Sequence, residues 1–188
     1  MKLFEHLKTI NEHRKLVREG CFRLGLYRQG IMHDLSKYSP SEFFMGAKYY
    51  QGFRSPNNAE REARGYSSAW LHHKGRNKHH FEYWIDYSAT EGVGMIPAKM
   101  PDKYLAEMYV DRVAASKIYN KGKYKDDMPL KYFLKGKSRI VMEKSSKRML
   151  EHLLRMLARD GEEKTEEYIR KRLLKKFFVP AFMRNYGR

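Results

Sequence analysis

Cysteine is almost absent from this sequence of 188 residues, which contains only Cys21. One cysteine excludes a disulfide within the chain and a zinc site built from several thiolates. Proline occurs at only six positions, and no apolar stretch is long enough to cross a bilayer. Because the amino terminus also lacks a signal-peptide pattern, we expect a cytoplasmic protein without a membrane span.

Acidic residues are scarce relative to basic ones. The sequence has 22 Asp and Glu against 39 Lys and Arg, which gives a formal net charge of +17. A surface with this excess attracts anions. We therefore expect an anionic small molecule as substrate, and nucleic acid is a second partner that the charge permits. The oligomeric state stays open.

Long alternating apolar and polar runs, which would indicate a sheet, are missing as well. Residues that favour helices, such as Leu, Met, Ala, Lys, Arg and Glu, are abundant instead. We predict an all-α fold, a helical bundle with basic helices at its carboxyl end. Residues 1–125 would form the core of the bundle, and residues 126–188 a helical extension packed on the same domain.

Apolar periodicity and terminator residues place the individual helices. They are predicted over residues 3–19, 21–35, 101–119 and 139–159, with a final helix in "EEYIRKRLLKKFF" after a break at Gly161. Gly20 would end the first helix. The polar segment 51–65 and the basic segment after Lys121 are predicted to lack helices.

A helix-start pattern follows the second helix at Ser39-Pro40-Ser41-Glu42. Ser39 can cap the helix, Pro40 suits its first position, and Glu42 can complete a capping box. His33 and Asp34 lie just before this pattern. The side chains of His33 and Asp34 therefore lie next to a capped turn. From there they can point in different directions and bind one or two metal ions.

Asp111 lies in the middle of the apolar stripe of the predicted 101–119 helix. Because an unpaired buried carboxylate costs several kcal/mol, it must be paired with a cation such as an arginine, protonated, or bound to a metal ion. His13 lies on the core-facing stripe of the first helix. Imidazole nitrogens and carboxylate oxygens together suit divalent Mn, Fe, Zn or Ni. We predict a centre of one or two such ions.

The order His, His-Asp, His, His, Asp along the chain resembles the HD-domain superfamily of metal-dependent phosphohydrolases. Carried over position by position, the resemblance implies that the metal ligands are His13, His33, Asp34, His73, His80 and Asp111. In the two His-His pairs, His72 and His79 have the same spacing and stay alternatives. The Gly-Tyr-Pro signature of the cyclic-dinucleotide branch is absent.

A closer resemblance covers about residues 4–120. The phrases "HDLSKYSPSEF", "AWLHHKGRNKHHFEYW" and "MPDKYLAEMYVDRVAA" are similar to an uncharacterised family of small bacterial proteins, some of which are labelled catalases. This resemblance identifies relatives and implies no particular reaction.

The leading hypothesis is a metal-dependent phosphohydrolase that acts on a phosphate ester or a nucleotide. Its predicted catalytic residues are Asp34, Lys37 and Glu107: Asp34 bridges the ions, Lys37 holds a phosphate oxygen, and Glu107 accepts a hydrogen bond from a ligand imidazole. Lys37, Lys74 and Arg76 are predicted to bind the anion. Two alternatives stay open. One is redox chemistry at a di-iron or di-manganese centre, and the other is a nucleic-acid-binding module with a structural or vestigial metal site.

Overall fold

The structure is a computed structural model that describes residues 2–175. This part of the chain contains eight α-helices and one small sheet, which confirms the predicted all-α fold. The helices are α1 (Leu3–Arg23), α2 (Tyr27–Met32), α3 (Pro40–Lys48), α4 (Pro56–Arg64), α5 (Ser68–Lys74), α6 (Asp102–Tyr119), α7 (Met128–Gly136) and α8 (Lys144–Tyr168). Strands β1 (Ile85–Tyr87) and β2 (Met95–Pro97) pair antiparallel. Short 3-10 turns cover Leu35–Tyr38, Phe81–Trp84 and Lys137–Arg139, and a π turn, Ile169–Leu173, follows α8.

The hydrophobic core lies where α1, α6 and α8 pack together. Val17 from α1, Val110 from α6 and Leu154 from α8 belong to one buried cluster. Burial of each such side chain contributes roughly 1.5–3 kcal/mol. The cluster includes residues on both sides of position 125, where we predicted the extension to begin.

The first helix is longer than predicted, because α1 continues through Gly20 to Arg23. Gly20 does not end the helix but allows a close approach to α6. A Cβ atom at this position would lie 2.6 Å from Cγ1 of Val110, which is shorter than any normal contact. The absence of a side chain at Gly20 therefore sets the separation of α1 and α6, the helices that carry His13 and Asp111.

The second helix is shorter than the predicted 21–35 range. The chain turns at Gly25, whose φ of 70° lies in the left-handed region, and α2 begins only at Tyr27. The predicted start of α3 is confirmed, with Ser39 at the position before the helix and Pro40 as its first residue, but the Ser39 side chain makes no capping hydrogen bond. The predicted 101–119 helix is confirmed as α6.

Sequence reasoning missed α4 in the polar segment, α5, α7 in the basic segment, and the hairpin of β1 and β2. The α4 helix buries only Ala59 and Glu60, so it has no apolar stripe to find. Its Pro56 start and its left-handed Gly65 end were the available signals. The strands have three residues each, too few for a recognisable alternation.

The carboxyl-terminal helices agree with prediction only in part, because α8 begins at Lys144 instead of residue 139 and continues beyond Gly161 to Tyr168. Gly161, with a φ of 82°, interrupts α8 where the break was expected. Ile169 and Leu173 are buried in the core, while the last part of the final predicted helix, from residue 176, lies outside the described residues. Within residues 2–175, no helix combines the length and the apolar character that a membrane span requires.

Candidate metal centre

Side chains from α1, from the turn after α2, from α5, from the segment after α5 and from α6 meet in one largely buried cluster. We call it the His/Asp centre; its members are His13, His33, Asp34, His73, His79, His80, Glu107 and Asp111. All six predicted metal ligands are therefore brought together. His79, one of the two alternatives, joins them.

Asp34 lies at the middle of the centre and is only 1% exposed. Its backbone is left-handed, with φ 53° and ψ 24°, a conformation that costs a residue other than glycine about 1–3 kcal/mol. Arg14 of α1 holds the chain here, since its Nε donates to the carbonyl of His33 at 2.8 Å and its Nη2 to that of Ile31 at 3.0 Å. The first helix thus anchors the turn that presents Asp34.

The first group of possible ligands comprises His13, His33, Asp34 and Asp111, whose ligand atoms all lie within 4.8 Å of one another. Oδ2 of Asp34 lies 3.3 Å from Nε2 of His33 and 3.5 Å from Nε2 of His13. Oδ1 of Asp111 lies 3.0 Å from the same atom of His13. One cation could contact all four side chains.

The second group comprises Asp34, His73, His79 and His80. Here the other carboxylate oxygen of Asp34, Oδ1, lies 3.2 Å from Nε2 of His73 and 3.4 Å from Nε2 of His79. Nε2 of His80 lies 2.9 Å from Nε2 of His73. Asp34 therefore places one oxygen in each group.

Two buried carboxylates behind the imidazoles fix their orientation. Oε1 of Glu107 accepts a hydrogen bond from Nδ1 of His33 at 2.9 Å and lies 3.2 Å from Nδ1 of His79. Oε2 of Glu42 accepts one from Nδ1 of His73 at 2.8 Å. A proton on each Nδ1 leaves the Nε2 lone pair free for a metal ion. The predicted capping box was wrong for Glu42, whose carboxylate contacts histidines of α5 instead.

The donor set fits a cation, because several buried acceptor atoms lack a well-formed hydrogen bond. Both oxygens of Asp34 and Nε2 of His79 are buried without a well-formed hydrogen bond from the described residues. Lys37 Nζ lies 2.7 Å from Oδ2 of Asp34 and offsets part of its charge. An unsatisfied buried polar atom costs about 1–3 kcal/mol, a cost that coordination to a metal ion would remove.

Comparison with known families gives one match. The profile of DUF5662, a family of unknown function, matches residues 2–156, which is most of the chain. The chain belongs to DUF5662. No curated protein and no solved structure matches it. Every member of the His/Asp centre lies inside the DUF5662 region.

The pKa directions of two members favour metal binding. Burial alone would raise the pKa of Asp34, but the charges of His33 and Lys37 hold it well below its usual value. Burial lowers the pKa of His80 far below its usual value, and the neighbouring His79 lowers it further. At neutral pH Asp34 is therefore ionised and His80 neutral, the states in which these side chains coordinate metals.

His33 shows how much negative charge the centre contains. Burial opposes its protonation, yet Asp34, Asp111 and Glu107 raise the pKa of His33 well above its usual value. These three carboxylates outweigh the loss of solvation. A metal ion bound to the first group would neutralise this negative charge, and His33 would release its extra proton.

The three residues that were predicted to bind an anion differ in their exposure and in their contacts with the His/Asp centre. Lys37 is 29% exposed and borders the centre through Asp34. Arg76 is exposed and donates to the carbonyl of His72, and Lys74 is half-buried. Among the described residues, no hydrogen bond or ion pair of a Lys74 or Arg76 side chain reaches the centre.

His72 and Asn77 have roles outside the ligand groups. His72 belongs to none of the groups that could hold a metal, and its Nδ1 donates to Oε1 of Glu42 at 2.6 Å. Asn77 donates from Nδ2 to Ser36 Oγ and to the carbonyl of His73, both at 2.8 Å. The bond to Ser36 attaches the segment after α5 to the turn that carries Asp34.

Proposed function

We propose that the His/Asp centre holds two divalent cations and hydrolyses a phosphate ester or a nucleotide. The observation that carries this proposal is the position of Asp34, whose Oδ1 faces one ligand group and whose Oδ2 faces the other. A buried carboxylate with one oxygen in each of two donor sets can hold two metal ions close together, as two-metal hydrolysis needs. The ligand order that resembles the HD superfamily supports the same reaction class.

In this proposal the first group holds one ion and the second group the other. Both offer imidazole nitrogens with carboxylate oxygens, which suit Mn, Fe, Zn or Ni. Such ions would supply a water molecule of lowered pKa and positive charge to offset the phosphoryl oxygens.

The chain itself binds and orients the substrate. Asp111 is 17% exposed, whereas the Asp34 and His33 side chains are closed to solvent, so the substrate approaches beside Asp111. Lys37 is also partly exposed, and its ammonium group can hold a phosphoryl oxygen next to Asp34. The net charge of +17 draws an anionic substrate towards this opening.

The test combines metal content with phosphate release, for the untagged wild type and for Asp34→Asn. We expect two bound ions per wild-type chain and phosphate release from p-nitrophenyl phosphate or a nucleotide. Because asparagine carries no negative charge to share between the two ions, the affinity of the variant for both ions should fall at least about 100-fold. Asparagine tolerates the left-handed backbone, and circular dichroism checks the fold. A wild type that takes up no ion after loading would refute the proposal.

A redox reaction at a di-iron or di-manganese centre is the second candidate. It is favoured by the second group, whose three imidazoles and one carboxylate also suit redox-active iron. Iron in the purified protein together with oxygen release from hydrogen peroxide would support it. Phosphate release without peroxide turnover would support hydrolysis.

Nucleic-acid binding stays a prediction based on the net charge. It requires an affinity for RNA or DNA that falls steeply with salt. If the same affinity persists in Asp34→Asn, the basic surface and the metal centre act independently.

A further inference from the structure

Glu107 is a buried carboxylate on α6, one helical turn before Asp111. It is 4% exposed, and its Oε1 accepts a hydrogen bond from Nδ1 of His33 and lies 3.2 Å from Nδ1 of His79. His33 belongs to the first ligand group and His79 to the second, and these two histidines form with Glu107 a third group whose ligand atoms also lie within 4.8 Å of one another. One oxygen atom therefore orients a ligand from each group.

The two imidazoles that share Glu107 also contact each other. The ring centroids of His33 and His79 lie 4.3 Å apart. A rotation of either ring would disturb both the shared hydrogen-bond acceptor and the neighbouring ring. The orientations of the two ligands are consequently linked, although they belong to separate groups.

Glu42 provides a natural contrast. It is buried to a similar degree, at 5% exposed, and its carboxylate likewise contacts two imidazoles, here through two hydrogen bonds. Its partners are His73, a member of the second group, and His72, which belongs to no group. Glu42 thus supports the second group alone.

We infer that Glu107 is a positioning residue shared by both ion sites, a role that rests on the proposed two-cation centre. Loss of a carboxylate that orients a ligand histidine typically weakens metal binding about 10- to 100-fold. Because Glu107 orients one ligand of each ion, its replacement should weaken both ions. Replacement of Glu42 should directly weaken only one.

The experiment compares Glu107→Gln with Glu42→Gln as the matched control. Each metal-stripped protein is titrated with Zn²⁺ by isothermal calorimetry, and bound zinc is counted by elemental analysis. Glutamine keeps the shape of glutamate but removes the charge, so the fold should persist. We expect both zinc affinities to fall about tenfold or more in Glu107→Gln, and one to fall in Glu42→Gln.

A second measurement separates positioning from general destabilisation. In histidine ¹⁵N NMR spectra of the zinc-loaded proteins, Glu107→Gln should shift the Nδ1 signals of His33 and His79 and leave that of His73 in place. Glu42→Gln should do the reverse. A partly unfolded variant would instead disturb all three signals.

The outcomes distinguish this inference from the proposed function. If Glu107→Gln weakens one zinc ion or neither while the wild type binds two, the shared role is wrong. If the wild type binds two ions with the expected pattern but releases no phosphate, hydrolysis is wrong and the shared role stands. A wild type that binds no zinc overturns both.

Discussion

The two halves of the His/Asp centre are built in different ways. The first group takes His13 from α1 and Asp111 from α6, which approach each other only because these helices pack closely at Gly20. The second group takes all its histidines from the span 73–80, a short local segment. The first half therefore depends on the tertiary structure of the whole bundle, whereas the second depends on one segment and its attachment to Asp34.

Removal of one ligand from each half should have the largest effect and would test whether the halves are separate sites. We expect His13→Ala to lose the ion of the first group and to keep the other. His80→Ala should show the opposite pattern, with each lost affinity reduced at least about 100-fold. Metal counting after dialysis measures this result. If either variant lost both ions or neither, the division into two groups would be wrong.

A change in helix packing should affect the first half more than the second. Gly20→Ala places a Cβ 2.6 Å from Cγ1 of Val110 and should destabilise the protein by about 1–3 kcal/mol. The ion of the first group should bind more weakly, because α1 and α6 are forced apart.

Gly75→Ala is the matched control within the segment of the second group. Its new Cβ would meet nothing closer than the Leu71 carbonyl oxygen at 3.6 Å, an ordinary contact. Urea unfolding and metal counting should therefore leave it near the wild type. Equal losses of first-group metal in both glycine variants would contradict the packing argument.

The smallest effect is expected where the second half is attached to the turn. Asn77→Ala removes the hydrogen bonds from Nδ2 to Ser36 and to the His73 carbonyl, so it should lower the free energy of unfolding by about 1 kcal/mol. Zinc affinity of the second group should fall slightly, with the first group unchanged. Denaturant unfolding and calorimetry measure the two effects. If Asn77→Ala lowered the zinc affinity of the first group only, Asn77 would support the first half of the centre, and this prediction would be wrong.

The sequence was most informative where residue type and local periodicity decide the outcome. The α6 helix was predicted because its apolar stripe lies between Pro101 and Asn120, and Asp111 was conspicuous as a charge within that stripe. The set of ligand histidines came from the resemblance of their order along the chain to the HD superfamily. All the predicted ligands lie in the centre, and the choice within the first pair agrees with the geometry, since His73 lies in a ligand group and His72 does not.

The errors occurred where a distant partner decides a residue's role. Gly20 looked like a helix end because its partner, Val110, lies far along the chain. Glu42 matched a local capping pattern, whereas its contacts are with His72 and His73 on another helix. The support of the turn by Arg14 depends in the same way on the packing of α1 against the chain after α2.

The left-handed backbone at Asp34 narrows the substitutions that this position tolerates. Among residues other than glycine, asparagine and aspartate enter that conformation most readily. The proposed bridge between two ions requires a carboxylate, which only aspartate and glutamate supply. Aspartate alone meets both demands. In a library of all substitutions at position 34, asparagine and glycine should therefore give folded proteins without bound metal, and only aspartate should give a folded protein that binds metal.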